Sequence, residues 1–172
     1  FPVSANGAIA VMTTTERAVS ILKSARVVPL LVITNWGPTG FESELARAII
    51  ANETVKAQTI ANLLDLLGRY GFAGVNVDFE NLYPEDRPLY TAFIRDLAAA
   101  LKPRDFQVTV AAPPKYADFP NAPWVGAFDY AALGQLADFI FIMTYEWGWI
   151  GGSPGPIAPI NQVRRTLTYA AS

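Results

Sequence analysis

Continuous apolar runs alternate along the chain with segments in which apolar residues recur every three or four positions. The runs end at turn residues and lack simple polar–apolar alternation, which is typical of strands buried on both faces. They predict four strands, over residues 27–34, 75–79, 106–112 and 138–145. The apolar residues 1–4, which precede a turn at Asn6-Gly7, are interpreted as the end of a fifth strand.

The clearest helical pattern lies between two of these runs. Apolar residues there follow the i, i+3, i+4, i+7 spacing and predict a helix over about residues 54–70, with Gly71 as its C-cap. The residues that carry this spacing are Ile60, Leu63, Leu64 and Leu67. Further helices are predicted over residues 15–24, 42–51, 130–136 and 160–170.

Two of the other helices have predicted N-terminal caps. Thr15 is expected to cap the helix at residues 15–24. Asp86 is expected to cap a helix that has Pro88 in its first turn and Pro103 beyond its end. The residues expected to face inward are Ala18, Ile21 and Leu22 on the first helix, and Leu89, Phe93, Leu97 and Leu101 on the second.

The alternation of strands and helices predicts a parallel sheet joined by right-handed crossovers, in a single domain over residues 1–172. No glycine-rich phosphate loop follows a predicted strand, which argues against a nucleotide-binding sheet. Polar and aromatic residues instead gather where the strands end. In a β/α barrel that edge forms the active site, so the predicted fold class is α/β, of the (β/α)8 TIM-barrel type.

The run at residues 75–79 stands out because acidic residues accompany it. Asn76, Asp78 and Glu80 point to one face, since side chains two positions apart along a strand share a face. Acids are rarely buried without partners, and neighbouring carboxylates can separate their pKa values so that one keeps its proton. Catalysis by this pair is the leading interpretation. The alternative is a strand end whose acids cap the next helix or bind an arginine.

The composition narrows the available chemistry. The 172 residues contain no cysteine and no histidine, which excludes disulfides, thiolate nucleophiles and Ser-His-Asp triads and argues against a zinc site. Acid–base chemistry is left to carboxylates, tyrosine or lysine. The formal net charge is −2 with scattered basic residues, so no nucleic-acid partner is expected. No apolar run is long enough to predict a membrane span.

Aromatic residues near the predicted strand ends favour a sugar ligand. Trp36 and Tyr116 each follow a predicted strand, and Tyr145 and Trp147 lie at the end of another. Tryptophan and tyrosine beside carboxylates suit a sugar ring, which offers apolar CH faces and hydroxyl edges. The alternative, a place in the core, applies to each of the tryptophans, Trp36, Trp124, Trp147 and Trp149.

Several motifs occur in the order expected for one enzyme family. Residues 74–80, Gly-Val-Asn-Val-Asp-Phe-Glu, resemble the Asp-x-x-Asp-x-Asp-x-Glu motif that ends the fourth barrel strand in glycoside hydrolase family 18, the chitinase-like enzymes. Residues 143–145, Met-Thr-Tyr, resemble its sixth-strand Met-x-Tyr motif. The resemblance is closer still to the bacterial spore-cortex and LysM-linked peptidoglycan branch. The matching segments are Asp-Phe-Glu-Asn at 78–81, Ala-Pro-Pro-Lys at 112–115, Met-Thr-Tyr-Glu-Trp-Gly-Trp at 143–149 and Gly-Gly-Ser-Pro-Gly-Pro at 151–156.

This resemblance implies substrate-assisted retaining hydrolysis of glycan that contains N-acetylglucosamine, with no cofactor and no metal. It implies that Glu80 is the general acid, that Asp78 holds the acetamido N–H, and that Tyr145 donates to the acetamido oxygen. The residues expected to bind the glycan around them are Asn35, Trp36, Asn76, Asn81, Tyr116, Glu146 and Trp147. The expected substrate is bacterial or spore peptidoglycan, which implies a secreted protein or one associated with the spore or cell wall.

Three positions depart from the family pattern. Ala73 and Asn76 stand where the motif has two further aspartates, and Glu146 stands where an aspartate often follows the tyrosine. The missing negative charge near Asp78 favours a second hypothesis, a non-catalytic barrel fragment that only binds glycan. A chitinase is the third hypothesis, because the sequence does not determine which glycosidic bond is cleaved.

The number of predicted strands bears on completeness. A β/α barrel needs eight strands and typically about 250 residues, whereas five strands are predicted here. Aligned by the motifs, Glu80 ends strand four and Tyr145 ends strand six, so the chain corresponds to about strands two to six of an incomplete barrel. Its first and last strands are expected to be open edges beside apolar surface, through which the chain would associate with itself or another chain.

Overall fold

The structure, a computed structural model, describes residues 1–148 and 150–172. Strands and helices alternate along the chain. The strands are β1 (Leu30–Thr34), β2 (Trp36–Gly37), β3 (Gly40–Phe41), β4 (Gly74–Asp78), β5 (Gln107–Ala112) and β6 (Phe139–Ile142). The helices are α1 (Thr15–Ser24), α2 (Ser43–Ala51), α3 (Glu53–Tyr70), α4 (Arg87–Leu101), α5 (Tyr130–Leu136) and α6 (Ile160–Ala170).

Four strands form a parallel sheet in the order β1-β4-β5-β6, which is also their order along the chain. An isolated parallel bridge between Pro2 and Thr34 adds a fifth position beside β1. β2 and β3 form a separate antiparallel hairpin, residues 36–41, directly after β1. The predicted parallel α/β sheet is confirmed.

The core lies between one face of this sheet and the helices. Val75, Val77 and Phe79 are fully buried, and Phe79 stacks on Phe93 of α4 with ring centroids 5.7 Å apart. Because side chains alternate along a strand, Asn76 and Asp78 point to the opposite face. The separation of polar and apolar residues predicted for this strand is therefore present.

Helix α3 begins and ends on local signals in the sequence. The Asn52 side chain accepts hydrogen bonds from the N–H groups of Thr54 and Val55 at its start. Gly71 ends the helix in a left-handed conformation, with φ of 72°, and donates to Leu67 O. The predicted C-cap is thus confirmed, and β4 follows after two residues.

Helix α4 corrects two predictions. Asp86 occupies the N-cap position but makes no capping hydrogen bond, because Arg47 of α2 donates to both of its carboxylate oxygens, at 2.8 and 3.1 Å. Leu89 is exposed rather than inward. Tyr90 takes the inward place in the first turn and packs against Phe128, with ring centroids 5.3 Å apart. The remaining inward predictions, Phe93, Leu97 and Leu101, are confirmed as fully buried.

Helix α1 corrects a further set. Thr14 holds the N-cap position, while the Thr15 hydroxyl donates to Met12 O at 2.7 Å, so the predicted cap is wrong. Ala18, Ile21 and Leu22, predicted to face inward, are all exposed. α1 lies at the edge of the sheet with α3 as its main packing partner, so only a narrow stripe of the helix, Thr15 and Val19, is buried.

In the described ranges the sheet stays open, with the Pro2 bridge on one side and β6 on the other. Large apolar side chains near these two edges are exposed: Val11, Met12, Ile21, Leu22, Val27, Val28, Phe139, Phe141, Ile157, Ile160 and Leu167. The predicted open edges beside apolar surface are therefore present. Separately, none of the helices in the described ranges is both long enough and apolar enough to cross a membrane.

Candidate active site

The carboxyl end of β4 carries the two predicted acids. Asp78 is the last residue of the strand and Glu80 follows two positions later, and both side chains are half-buried. Within the described residues neither forms an ion pair with a lysine or arginine. Neither caps a helix, since the caps of α2, α3 and α4 are other residues. The alternative interpretation, in which these acids cap the next helix or bind an arginine, is therefore not supported by the described residues.

Both carboxyls are biased toward their protonated forms. Burial raises the pKa of Glu80, and the negative charges of Asp78 and Glu146 raise it further. Burial also raises the pKa of Asp78. Asp78 Oδ1 is buried and has no hydrogen-bond partner among the described residues. Glu80 thus has the environment of a carboxylic acid that keeps its proton at a higher pH than usual.

Tyr145 shares the electrostatic field of these acids. Its pKa is raised by burial first, and then by the charges of Asp78, Glu146 and Glu80. Tyr145 is 39% exposed. The three residues predicted as catalytic therefore lie at the same edge of the sheet.

A hollow of about 390 Å³ opens beside Glu80. Its lining combines polar groups with aromatic and proline faces, a mixture that suits a sugar. The lining residues are Glu80, Asn81, Pro113, Pro114, Trp124, Met143, Tyr145, Glu146 and Trp147. The structure thus brings five of the predicted residues together here: Glu80, Asn81, Tyr145, Glu146 and Trp147.

The backbone around this hollow takes an unusual form. Asn81, Trp124 and Glu146 have positive φ angles of 55°, 67° and 58°, a region that side-chain-bearing residues seldom occupy. All three residues are exposed, with Trp124 at 71%. Trp124 was not among the predicted binding residues, because it lies in a Pro-rich segment away from any strand end and no local pattern marks it.

The hairpin of residues 36–41 is attached to the segment that follows Glu80. Asn81 Nδ2 donates to Phe41 O at 3.1 Å, and the Ser43 hydroxyl donates to Asn81 O. Trp36 is 53% exposed and packs edge-on against Phe41, with ring centroids 5.0 Å apart. Trp36 therefore stands on a hairpin that is bonded to the site, although it does not line the hollow itself.

Three predicted binding residues are placed differently from expectation. Asn35 is fully buried and bonded to backbone groups, so it cannot contact a glycan. Asn76 Oδ1 accepts a hydrogen bond from the Thr109 hydroxyl at 2.8 Å. Tyr116 lines a different hollow and is stacked under the Arg165 guanidinium, 3.4 Å from its ring centroid. Trp149, part of the sixth-strand motif, lies outside the described residues.

The described residues do not form a metal centre. Across residues 1–148 and 150–172, no three aspartate or glutamate side chains converge as metal ligands do. The chemistry that this edge supports is proton transfer by a carboxyl group with a raised pKa, beside a second carboxyl and a phenol.

A parallel β/α sheet with two acids at the carboxyl end of a strand is typical of β/α barrels, which form their sites at that edge. The chain belongs to the family described as Glycosyl hydrolases family 18, whose sequence profile matches residues 17–172. The cortical fragment-lytic enzyme of Bacillus anthracis is 34% identical over 172 residues, which are 100% of this chain and 40% of that protein. The chain thus spans about 40% of the length of this curated relative.

Solved structures agree with this assignment. The Bacillus cereus spore cortex-lytic enzyme SleL matches with a TM-score of 0.95 and 34% identity, over 99% of this chain and 39% of that one. A chitinase from Chromobacterium violaceum ATCC 12472 matches with a TM-score of 0.89 and 27% identity, over 99% of this chain and 54% of that one. The fold is therefore part of a chitinase-like (β/α)8 barrel, as the sequence predicts.

Proposed function

We propose that this chain carries the catalytic site of a glycosidase that cleaves N-acetylglucosamine-containing glycan of bacterial peptidoglycan. The observation that carries the proposal is the environment of Glu80, which lies at the edge of an aromatic-lined hollow. Burial and neighbouring charges raise the pKa of its carboxyl group. Membership of glycosyl hydrolases family 18 supports this chemical class. The catalytic residues proposed are Glu80, Asp78 and Tyr145.

The proposed reaction is substrate-assisted and retains the anomeric configuration. Glu80 donates its proton to the glycosidic oxygen as that bond breaks. The carbonyl oxygen of the substrate's own 2-acetamido group attacks the anomeric carbon and forms an oxazolinium ion. Asp78 accepts from the acetamido N–H and balances the positive charge, while the Tyr145 hydroxyl donates to the acetamido oxygen. The Glu80 carboxylate then removes a proton from the water that opens the intermediate.

The arrangement of charges supports this division of roles. The field of Asp78 and Glu146 favours the protonated form of Glu80, which an acid catalyst needs at the start of the reaction. Asp78 has a buried oxygen without a protein partner in the described chain, and so can accept from a substrate N–H. An internal nucleophile fixed in this way gains a high effective molarity.

The substrate class is proposed from the named relatives. The similar proteins include a cortical fragment-lytic enzyme and a spore cortex-lytic enzyme, which favour spore peptidoglycan and a location at the spore or cell wall. Another similar structure is a chitinase, so chitin remains the competing substrate. Turnover of cortex fragments and of chitin oligomers, compared by mass spectrometry, decides between them.

The test of the mechanism is Glu80→Gln, which keeps the shape of the side chain and removes the acid. Turnover should fall about 10²- to 10⁴-fold, the usual contribution of general acid–base catalysis. Glu85→Gln is the matched control, because Glu85 is 67% exposed and pairs with Arg47 away from the hollow. Equal turnover by the Glu80 variant and the parent would show that the mechanism is wrong.

A glycan-binding protein without turnover is the second candidate. The observation in its favour is that Asn76 stands where the family motif has an aspartate and bonds to Thr109, so the strand lacks a negative charge there beside Asp78. Calorimetric binding of a glycan together with no product by mass spectrometry would favour this candidate.

Self-association is proposed from the two open edges. The exposed apolar residues beside them, such as Ile21 and Phe141, are 56% and 50% exposed. Burial of such surface drives association. Light scattering of the chain should therefore show a mass that rises with concentration, whereas a monodisperse monomer would contradict the proposal.

A further inference from the structure

Asn35 is the most completely bonded polar side chain near the site. It is fully buried directly after β1. Its Oδ1 accepts from the Glu80 N–H at 2.9 Å, and its Nδ2 donates to Glu80 O at 2.8 Å and to Glu42 O at 3.0 Å. Only one orientation of the amide fits these three contacts, because both carbonyl oxygens need a donor and the N–H needs an acceptor.

These hydrogen bonds take the place of the backbone pairing between β1 and β4, which ends before it reaches Glu80. The register of β1 with β4 finishes at Thr34 opposite Asp78. Beyond that point the chain turns into the hairpin of residues 36–41, so no β1 peptide group remains beside Glu80. The Asn35 amide offers one donor and one acceptor to Glu80, as a peptide group would. The Asn35 side chain therefore continues the hydrogen bonding between the two strands as far as Glu80.

The third contact connects Glu80 to a second element. Glu42 immediately precedes α2, and its N–H donates to Asn35 O at 3.1 Å while its carbonyl accepts from Asn35 Nδ2. Asn35 is therefore bonded to Glu42 by both backbone and side chain. Through Asn35, the backbone of Glu80 is therefore connected by hydrogen bonds to the residue that precedes α2.

We infer that Asn35 is a positioning residue: through its two hydrogen bonds it fixes the Glu80 backbone, and hence aims the Glu80 carboxyl into the hollow. The inference rests on the proposed function for its catalytic consequence. A residue in this place acts on the reaction without touching the substrate. No other described side chain bonds to the backbone of Glu80.

The first readout is independent of catalysis. Asn35→Ala removes both bonds, so the carboxyl should move toward water and the pKa of Glu80 should fall toward its ordinary value. The groups that face Glu80, namely Asp78, Glu146 and Tyr145, are unchanged in this variant. The measurement is an NMR titration of the Glu80 carboxyl carbon. Asn62→Ala is the control, because Asn62 Nδ2 also bonds to a distant backbone carbonyl, Gly7 O at 2.8 Å, away from the site.

The second readout is kinetic and uses the protein as its gene encodes it. With a peptidoglycan fragment as substrate, Asn35→Ala should lower kcat at least tenfold and change KM less than threefold, since it displaces the acid and no binding contact. Asn62→Ala should leave both constants within twofold. If Asn35→Ala does not fold by circular dichroism, Asn35→Ser, whose hydroxyl is too short to bridge both Glu80 groups, carries the same expectations.

The outcomes separate the two proposals. An unchanged pKa of Glu80 in the folded variant overturns the positioning role, whatever the activity. A lowered pKa with unchanged kcat supports the effect of Asn35 on the Glu80 carboxyl and overturns Glu80 as the acid. A lowered pKa with a lowered kcat supports both.

Discussion

The pKa values of two pairs of carboxylates in this chain move in opposite directions. Asp78 and Glu80, at the edge of the sheet, have raised pKa values, and burial is the leading cause for each. Asp118 and Asp129, between β5 and α5, share Arg87, whose guanidinium lies 2.8 and 2.9 Å from their oxygens. The hydrogen bond from Arg87 is the main reason that the pKa of Asp118 is lowered to about 2.

Asp129 shows what a partner changes. Burial by itself would raise its pKa, as it does for Asp78, but the Ala132 N–H and Arg87 together reverse that effect. Among the described side chains no cation pairs with Asp78. A cation at hydrogen-bond distance thus decides whether a shielded carboxylate stabilises the fold or retains a proton. In the part of the chain that the structure describes, the acids of the candidate site have no such cation beside them.

Among the effects that test this comparison, the largest is expected for Asp78→Asn, which removes the charge from the site and keeps its shape. Glycan turnover should fall about 10²- to 10³-fold, a typical loss for one electrostatic stabiliser of a transition state. The free energy of unfolding at neutral pH should instead increase. Because the pKa of Asp78 is raised in the folded chain, its stabilising contribution is complete below the unfolded-state pKa and is lost as pH rises through the folded-state pKa.

The Asp78→Asn variant should therefore unfold at a higher urea concentration than the parent at pH 7, with the gap closing as pH falls. Urea titrations at pH 7 and pH 4 measure this. A variant that is less stable than the parent at pH 7 would contradict the contrast between the two pairs.

The next effect is that of Arg87→Met, which leaves Asp118 and Asp129 without their shared cation. The guanidinium is 19% exposed, but the side chains of Asp118 and Asp129 are 44% and 30% exposed, and Asp118 keeps Lys115 at 3.0 Å. The free energy of unfolding should therefore fall by about 1–2 kcal/mol. Turnover at a temperature where the variant is folded should stay within twofold of the parent. Arg17→Met is the control, since exposed Arg17 has no ion pair in the described chain.

Tyr145→Phe should have a smaller effect, on kcat alone. If the hydroxyl bonds to the acetamido oxygen as the intermediate forms, kcat should fall about tenfold and KM should change little, because the contact tightens in the transition state. Tyr116→Phe is the matched control, since the Tyr116 ring lies in the hollow beside Arg165. Equal loss of kcat in both variants would remove the distinction between the two tyrosines.

The smallest effect is that of Asp118→Asn on the pH dependence of stability. Its lowered folded-state pKa, about 2, means that the stabilising contribution is present above the unfolded-state pKa of 3.8 and is lost as pH falls through 2. The side chain is 44% exposed, so solvent screening should limit the effect to less than about 1 kcal/mol. Thermal melts of parent and variant should differ at pH 6 and converge near pH 2.

Features that depend on local pattern could be predicted from the sequence. The face shared by Asp78 and Glu80 follows from strand alternation, and the end of α3 follows from Gly71. The predictions that fail depend on contacts between distant segments. Asp86 does not cap α4 because Arg47, 39 residues earlier, binds its carboxylate. Sequence periodicity does not include such a competitor.

The residues of the candidate site likewise divide into those that local sequence pattern predicts and those that depend on distant contacts. That Glu80 and Tyr145 meet could be predicted, because parallel strands end at one edge of the sheet. Asn35 was expected at the substrate because it follows a strand, but its amide is used by the backbone of Glu80. Trp124 reaches the hollow through a left-handed backbone conformation, and with no glycine at that position the sequence gives no signal of it.

Asn81, Trp124 and Glu146 have a left-handed backbone conformation, so the residues beside this hollow are not those that would give the highest thermal stability. For residues with a Cβ this conformation costs roughly 1–2 kcal/mol each, and asparagine tolerates it best. Glycine at positions 124 and 146 would relieve that cost, so a screen for thermal stability alone should enrich it there. The same substitutions would delete an aromatic face and a carboxylate from the hollow. A laboratory lineage selected only for melting temperature should therefore lose the proposed glycan-binding lining before it loses its fold.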